Sequence, residues 1–241
     1  VRLLLRALVD TLFPPRCHLC KGPVAGGEVL HLCPGCRDTL RFLGSPLCPR
    51  CGIPFATEGG ADHPCGACTV HPPPFAAARG ALLFDGAARD LVHHFKYERR
   101  VHLVHPLGLL TAGKLAEFAA DSGASLIVPV PLHVRRLRQR GFNQALLLGE
   151  YLARSWRLPL ARHNLRRIRW TEPQINLSAA ERSANVRNAF AVADPARLEG
   201  RCVILVDDVF TTGSTVAECS RALRRAGAEA VVVVTAARAI V

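Results

Sequence analysis

Eight of the ten cysteines in this 241-residue chain stand in four C-x2-C pairs: Cys17/Cys20, Cys33/Cys36, Cys48/Cys51 and Cys65/Cys68. Twelve residues separate the first two pairs and thirteen the last two. A C-x2-C step puts two sulfurs on one tight knuckle, so both reach a single Zn²⁺ at about 2.3 Å, and a second knuckle completes the tetrahedron. Turn residues accompany them, as in Cys17-His18-Leu19-Cys20-Lys21-Gly22 and Cys48-Pro49-Arg50-Cys51-Gly52. The pattern predicts a zinc ribbon written twice, with two structural Zn²⁺ ions and no open coordination position for catalysis. Sequential pairing of the knuckles is the reading adopted, although a cross-braced pairing has the same spacing. A disulfide framework needs an oxidising compartment, for which the sequence carries no mark. His18, His31 and His63 lie near the pairs and read as surface residues, since four thiolates already fill each site. A segment this small has too little core to fold without its metal.

The rest of the chain is basic. Of a formal net charge of +12, residues 1–78 carry +2 and residues 79–241 carry +10, nearly all of it arginine. Such a balance suits anionic partners: nucleotides, nucleic acid or acidic surfaces. Residues 1–10 read as a short amphipathic helix interrupted by Arg6 and Asp10. No apolar run reaches the roughly 18 residues of a membrane span, so the expectation is a cytoplasmic protein without a transmembrane segment. His71-Pro72-Pro73-Pro74 reads as a stiff linker, dividing the chain into 1–74, an N-terminal helix with the double ribbon, and 75–241.

Beyond the linker, strand and helix patterns alternate. Apolar runs at 81–84, 125–130, 202–206 and 230–235 read as strands. Helical periodicity appears at 87–95, 101–118, 143–155 and 215–226, with a basic turn after the run at 125–130. Continuous Val/Ile strands between helices predict an α/β fold with a parallel sheet covered on both faces, and such sheets bind ligands beyond the carboxyl ends of their strands.

The sharpest motif runs Val203-Ile204-Leu205-Val206-Asp207-Asp208-Val209-Phe210-Thr211-Thr212-Gly213-Ser214-Thr215. A buried strand delivers two acids, and a hydroxyl-and-glycine loop then opens a helix. The helix start offers free N–H groups and a positive dipole end to a phosphate. Gly213 admits the close approach, and the Thr and Ser hydroxyls add donors. Asp207 and Asp208 repel a phosphate; they suit the hydroxyls of a neutral diol, or Mg²⁺. Phosphate donors beside paired acids describe a ribose 5-phosphate pocket, and the Walker A pattern is absent. From 135 to 187 there are twelve Arg against three acids. Arg135, Arg136, Arg138 and Arg140 follow a strand end, where some face a pyrophosphate or a nucleic-acid backbone. His93, His94, His102, His105 and His133 read as surface or packing residues, and Cys202 and Cys219 as core thiols.

The 203–215 segment resembles the 5-phosphoribosyl 1-pyrophosphate (PRPP) motif of type I phosphoribosyltransferases. With the four cysteine pairs, nearly the whole chain resembles the ComF family of competence proteins. His94-Phe95-Lys96-Tyr97 is similar to its F-K-Y stretch. Pro129, Val130, Pro131 and, further on, Arg140, Gly141, Asn143 and Gln144 are similar to its pyrophosphate loop. Gln174, Arg182 and Asn185 fall in a stretch similar to its flexible loop, in which Ile175-Asn176 replaces the usual Thr-Gly and Asn188 the usual Gly. The resemblance implies a Rossmann-like type I phosphoribosyltransferase domain. In it Asp207, Asp208, Thr211, Thr212, Gly213, Ser214 and Thr215 bind PRPP together with Mg²⁺. It also implies a role in DNA uptake, with single-stranded DNA and a helicase-like partner.

Two functions compete. An enzyme would displace pyrophosphate from PRPP toward an acceptor the sequence does not identify. A binding or regulatory module would keep the pocket while ribbons and arginines hold nucleic acid or a protein. Aromatic residues make up only 6% of the chain, which leaves few stacking platforms for single strands.

Overall fold

The computed structural model describes residues 14–25, 28–57, 59–171 and 179–240. The helix expected at 1–10 lies outside them. Two short helices, α1 (Pro34–Asp38) and α2 (Gly66–Val70), belong to the ribbons. The α/β part then runs β1 (Ala77–Leu83), α3 (Gly86–Tyr97), α4 (Val104–Lys114), α5 (Ala116–Asp121), β2 (Leu126–Pro129), α6 (Val134–Arg140) and α7 (Gln144–Trp156). It closes with β3 (Leu165–Arg167), α8 (Ala179–Val186), β4 (Phe190–Val192), β5 (Cys202–Phe210), α9 (Ser214–Arg225) and β6 (Ala230–Arg238).

The main sheet has the order β1-β6-β5-β2 and every pairing is parallel. Its strands are apolar on both faces because both are covered. On β5, Ile204 and Val206 join one core with α3, α4 and α7, while Val203 and Leu205 join the other with α9. Strands β3 and β4 form a separate antiparallel pair, a small hood following α7. Its two ends are clamped by Asn164, whose side chain donates to Asp194 O at 3.0 Å and accepts from Asp194 N at 2.8 Å.

Three expectations change in detail. The basic turn after β2 is the helix α6: its arginines are good helix formers, His133 Nδ1 accepts from Arg135 N at 3.3 Å at its start, and Gly141 ends it in the left-handed region. The periodic stretch 101–118 is a 3-10 turn and two helices, because the chain bends at Leu115 between α4 and α5. Strand β5 continues through Asp207 and Asp208 to Phe210, held in register by β6, with Asp207 opposite Thr235 and Phe210 opposite Arg238.

The ribbons pack directly on the sheet. Residues 41–43 run antiparallel to β1, with Leu43 N bonded to Ala81 O and Leu83 N to Arg41 O. The Cys48/Cys51 knuckle is pinned by Ala78 N to Arg50 O at 2.7 Å and by Arg79 Nη1 donating to Pro49 O at 3.0 Å. Gly52 is required there: its φ is +70°, and a Cβ would stand 2.4 Å from Ala78 O. Leu32 and Leu40 of the first ribbon share a core with Leu82, Leu91 and Phe95.

Candidate functional site

Each ribbon gathers four sulfurs. Cys17, Cys20, Cys33 and Cys36 form one group and Cys48, Cys51, Cys65 and Cys68 the other, all sulfurs of a group lying within 4.8 Å of one another. The knuckles therefore pair in sequence order. Cys33 and Cys65 each stand at the N-cap of a five-residue helix, which turns the chain so that Cys36 and Cys68 face back. Cys20 and Cys33 sulfurs are 3.5 Å apart, and Cys51 and Cys65 sulfurs 3.7 Å. Thiolates at tetrahedral corners about 2.3 Å from zinc stand about 3.8 Å apart, so the donor set and its spacing fit two Zn²⁺.

The electrostatics of the clusters point the same way. Burial works to raise the Cys17 and Cys48 thiols, but backbone amides outweigh it and bring each down to about 6. Burial and neighbouring sulfurs push Cys36 up to about 12 and raise Cys68 as well. Four adjacent thiols cannot all ionise without a cation among them. His18 is half-buried rather than a surface residue, tilted between His31 and His102 at 5.5 and 5.0 Å. Burial and those two rings lower it to about 4. Cys219 is fully buried, whereas Cys202 is half-buried and donates to Ser122 O at 3.3 Å.

A cleft of about 650 Å³ opens beyond the carboxyl ends of β2 and β5. Asp207, Asp208, Thr211 and Thr215 line one side; Val130, Pro131, Arg140, Asn143 and Gln144 line another. The two acids are fixed by their own backbone: Asp207 Oδ1 accepts from Asp208 N at 2.9 Å, and Asp208 Oδ1 from Val209 N at 2.8 Å. Asp207 is raised to about 8 by burial and by the adjacent Asp208, against the opposing pull of Lys96. At neutral pH it therefore keeps a proton while Lys96 compensates Asp208.

The loop after β5 turns at Gly213, with φ +79°, into the N-terminus of α9, where Thr212 and Ser214 hydroxyls share a hydrogen bond of 3.0 Å. On the facing side, Asn143 caps α7 by accepting from Ala145 N and Leu146 N, while its Nδ2 donates to Val130 O at 3.0 Å. One side chain thus ties the α6–α7 turn to the end of β2. Gln144 is buried beside it, with no hydrogen-bond partner for Nε2 among the described residues.

Pro129 closes β2, Gly141 caps α6 beside a second hollow, and Thr212, Gly213 and Ser214 lie in the turn between the cleft-lining Thr211 and Thr215 without lining the cleft themselves. Asn185 O accepts from Arg169 at 2.9 Å. Gln174 and the side chain of Arg182 lie outside the described residues, as do Ile175 and Asn176. Asn188 sits at φ +54°, a conformation that Asn tolerates better than most residues, and its N–H bonds the buried Glu218 of α9 at 2.9 Å.

Several cleft residues carried no assigned role in the sequence. Lys96 Nζ reaches Asp208 Oδ2. Tyr97 and Arg99 follow it on the rim, and Arg167 enters from the hood, stacked on Phe190, its Nε without a partner among the described residues. Arg136 and Arg140, four apart on α6, both face the cleft, while Arg135 and Arg138 are exposed outside it. The i, i+4 spacing was a signal for that pair; nothing local announces Arg167.

A double four-cysteine ribbon packed on a parallel α/β domain, with paired acids and a glycine-turned helix start in one cleft, defines the class of this protein. A family model described as "Double zinc ribbon domain" matches residues 8–69. The chain is 38% identical to "DNA utilization protein YhgH" of Escherichia coli K12, over 90% of this chain and 94% of that protein. It is 33% identical to "Competence protein F" of Haemophilus influenzae, over 93% and 97%. "Competence protein ComFC" of Bacillus subtilis matches at 27% over 81% and 79%. The chain belongs to this ComF/YhgH family. Among solved structures, phosphoribosylpyrophosphate synthetase from Mycobacterium smegmatis aligns with 54% of this chain and 33% of its own, at 20% identity and a TM-score of 0.33. Among the described residues no helix is long and apolar enough to cross a membrane.

Proposed function

We propose that the cleft binds the ribose 5-phosphate part of PRPP or a related ligand, in a cytoplasmic protein serving the use of incoming DNA. The carrying observation is the chemistry gathered in one cavity: the acids Asp207 and Asp208, Thr211 and Thr215 at the two ends of the turn into α9, and the cations Arg136, Arg140 and Arg167. A ligand with a neutral diol and two anionic ends fits that set. In this reading the acids accept from the diol hydroxyls, the α9 N-terminus holds the 5-phosphate, and the arginines hold the diphosphate. Asp207, carrying its proton, can also donate to a ribose oxygen. Type I phosphoribosyltransferase chemistry then consists of pyrophosphate leaving the sugar carbon as an acceptor attacks it, with the arginines stabilising the leaving charge.

Among the described residues the two thiolate groups are the ones with metal-ligand spacing, so Mg²⁺ enters this reading on the diphosphate, where it neutralises charge. The relatives' names speak of DNA utilization and competence, and single-stranded DNA with a helicase-like partner belongs to the same proposal. The two parts, 1–74 and 75–241, then act as one unit. Isothermal titration with PRPP, with and without Mg²⁺, tests the binding, and pyrophosphate release over candidate acceptors tests turnover.

A second reading, a nucleic-acid or protein-binding module that keeps the pocket, is favoured by the outer face of α6. Arg138 is exposed there, and Arg135 lies 5.8 Å from the Trp170 ring, a cation beside an aromatic platform. Binding of PRPP without pyrophosphate release favours this reading.

A further inference from the structure

Arg238, the last residue of β6, is 5% exposed, and its Nε and Nη1 are buried without a hydrogen-bond partner among the described residues. A guanidinium is always charged, so a buried one needs a negative partner. Among the described residues its Nη2 lies 3.5 Å from a zinc ligand, Cys51 Sγ. Four thiolates around a Zn²⁺ carry a formal surplus of two negative charges, which a cation on the sulfur side offsets.

The flat face of the same guanidinium stacks 4.2 Å from the centroid of the Phe210 ring. Phe210 in turn lies under the phosphate loop, since a Cβ at Gly213 would stand only 2.6 Å from its Cζ. Phe75, the first residue after the Pro72-Pro73-Pro74 run, closes the other side edge-on at 6.0 Å. Metal ligand, guanidinium, ring and glycine turn are thus in unbroken contact from the ribbon to the helix start.

We propose that Arg238 is a positioning residue coupling the second zinc centre to the phosphate loop. Its charge holds the Cys51 thiolate, and its planar face fixes the ring on which the Gly213 turn rests. Zinc at Cys48, Cys51, Cys65 and Cys68 keeps the loop in its binding shape, and zinc at the first ribbon does not bear on it. The loop half of the proposal rests on the ribose-phosphate reading; the zinc half stands without it.

The test uses the full zinc-loaded chain, with zinc release to a chromogenic chelator and ribose 5-phosphate binding by calorimetry as readouts. In Arg238→Met, half of the zinc leaves about tenfold faster or more while the other half keeps its rate, as expected when an outer-shell partner is lost. Affinity for ribose 5-phosphate falls by a similar factor. Arg238→Lys keeps the charge but not the planar face, so it restores zinc retention and not phosphate affinity. Phe210→Leu leaves zinc release unchanged and weakens phosphate binding. Unchanged release in Arg238→Met, or equal acceleration of both ions, overturns the coupling. If that variant does not fold, wild-type phosphate affinity in both Arg238→Lys and Phe210→Leu overturns it. Failure of the wild type to bind ribose 5-phosphate sinks the ribose reading alone, and the release rates still decide whether Arg238 serves the zinc site.

Discussion

Lys96 Nζ lies 2.8 Å from Asp208 Oδ2, joining α3 to β5 at the floor of the cleft, and both side chains are largely buried. The pair keeps two adjacent carboxylates compatible with a folded strand. Removing the cation in Lys96→Met leaves Asp208 buried and uncompensated beside Asp207. A loss of about 1–3 kcal/mol at pH 7 is expected, below the range for fully buried pairs because the cleft admits water. Urea unfolding checks it.

Asp207 itself weakens the fold at neutral pH. Its carboxyl is raised to about 8, from an ordinary value near 4, by burial first and by Asp208 second. The folded chain therefore holds a proton that the unfolded chain has released between those values, and stability falls as pH rises through that window. Below it the penalty is absent; above about 8 it is complete. Asp207→Asn removes it, so this variant melts several degrees higher than the wild type at pH 8 and shows little difference near pH 4. Calorimetric scans over that range measure the crossover.

Acids and loop are expected to fail in opposite ways. Asp207→Asn with Asp208→Asn leaves the phosphate cradle intact, so this double variant loses PRPP affinity yet still holds inorganic phosphate or sulfate. Gly213→Val strains a residue at φ +79° and drives a side chain into Phe210, so it loses phosphate as well. Each lost charge-assisted bond costs roughly 1.5–3 kcal/mol. Titrations of both ligands against both variants separate the outcomes; unchanged PRPP affinity in both places the pocket elsewhere.

Protein purified without chelator is expected to hold two Zn²⁺ per chain by elemental analysis. Cys20→Ser lowers the ratio to one, because the sulfur groups are independent tetrads. It destabilises the first ribbon and leaves ribose 5-phosphate affinity unchanged. A ratio near zero with the cysteines oxidised contradicts the assignment.

On the outer face of α6, Arg135 and Arg138 are exposed, free to meet a nucleic-acid backbone. Single-stranded DNA binding is expected to weaken steeply with salt and to show little base preference. Neutralising both residues lowers the magnitude of the salt slope by about 1–2. Fluorescence anisotropy at graded ionic strength reads it, and a shallow slope with strong base preference contradicts a purely electrostatic contact.

Local chemistry alone determined much of this protein. The four cysteine knuckles follow from C-x2-C spacing, because a knuckle is a short-range structure, while which knuckles share a site follows from the fold; β5 and the α9 start follow from a run of apolar residues before a hydroxyl-glycine turn. Helix α6 was hidden because its one apolar pair, the exposed Val134 and Leu137, is outweighed by a run of arginines, and the full length of β5 because its acids are held in register by a neighbouring strand. Tertiary structure alone decided that Lys96 meets Asp208 across 112 residues, that Arg167 enters the cleft from the hood, and that Arg238 touches Cys51 across 187. Charges that pair through space leave no periodic trace in the chain, since their partners are chosen by the packing of the sheet.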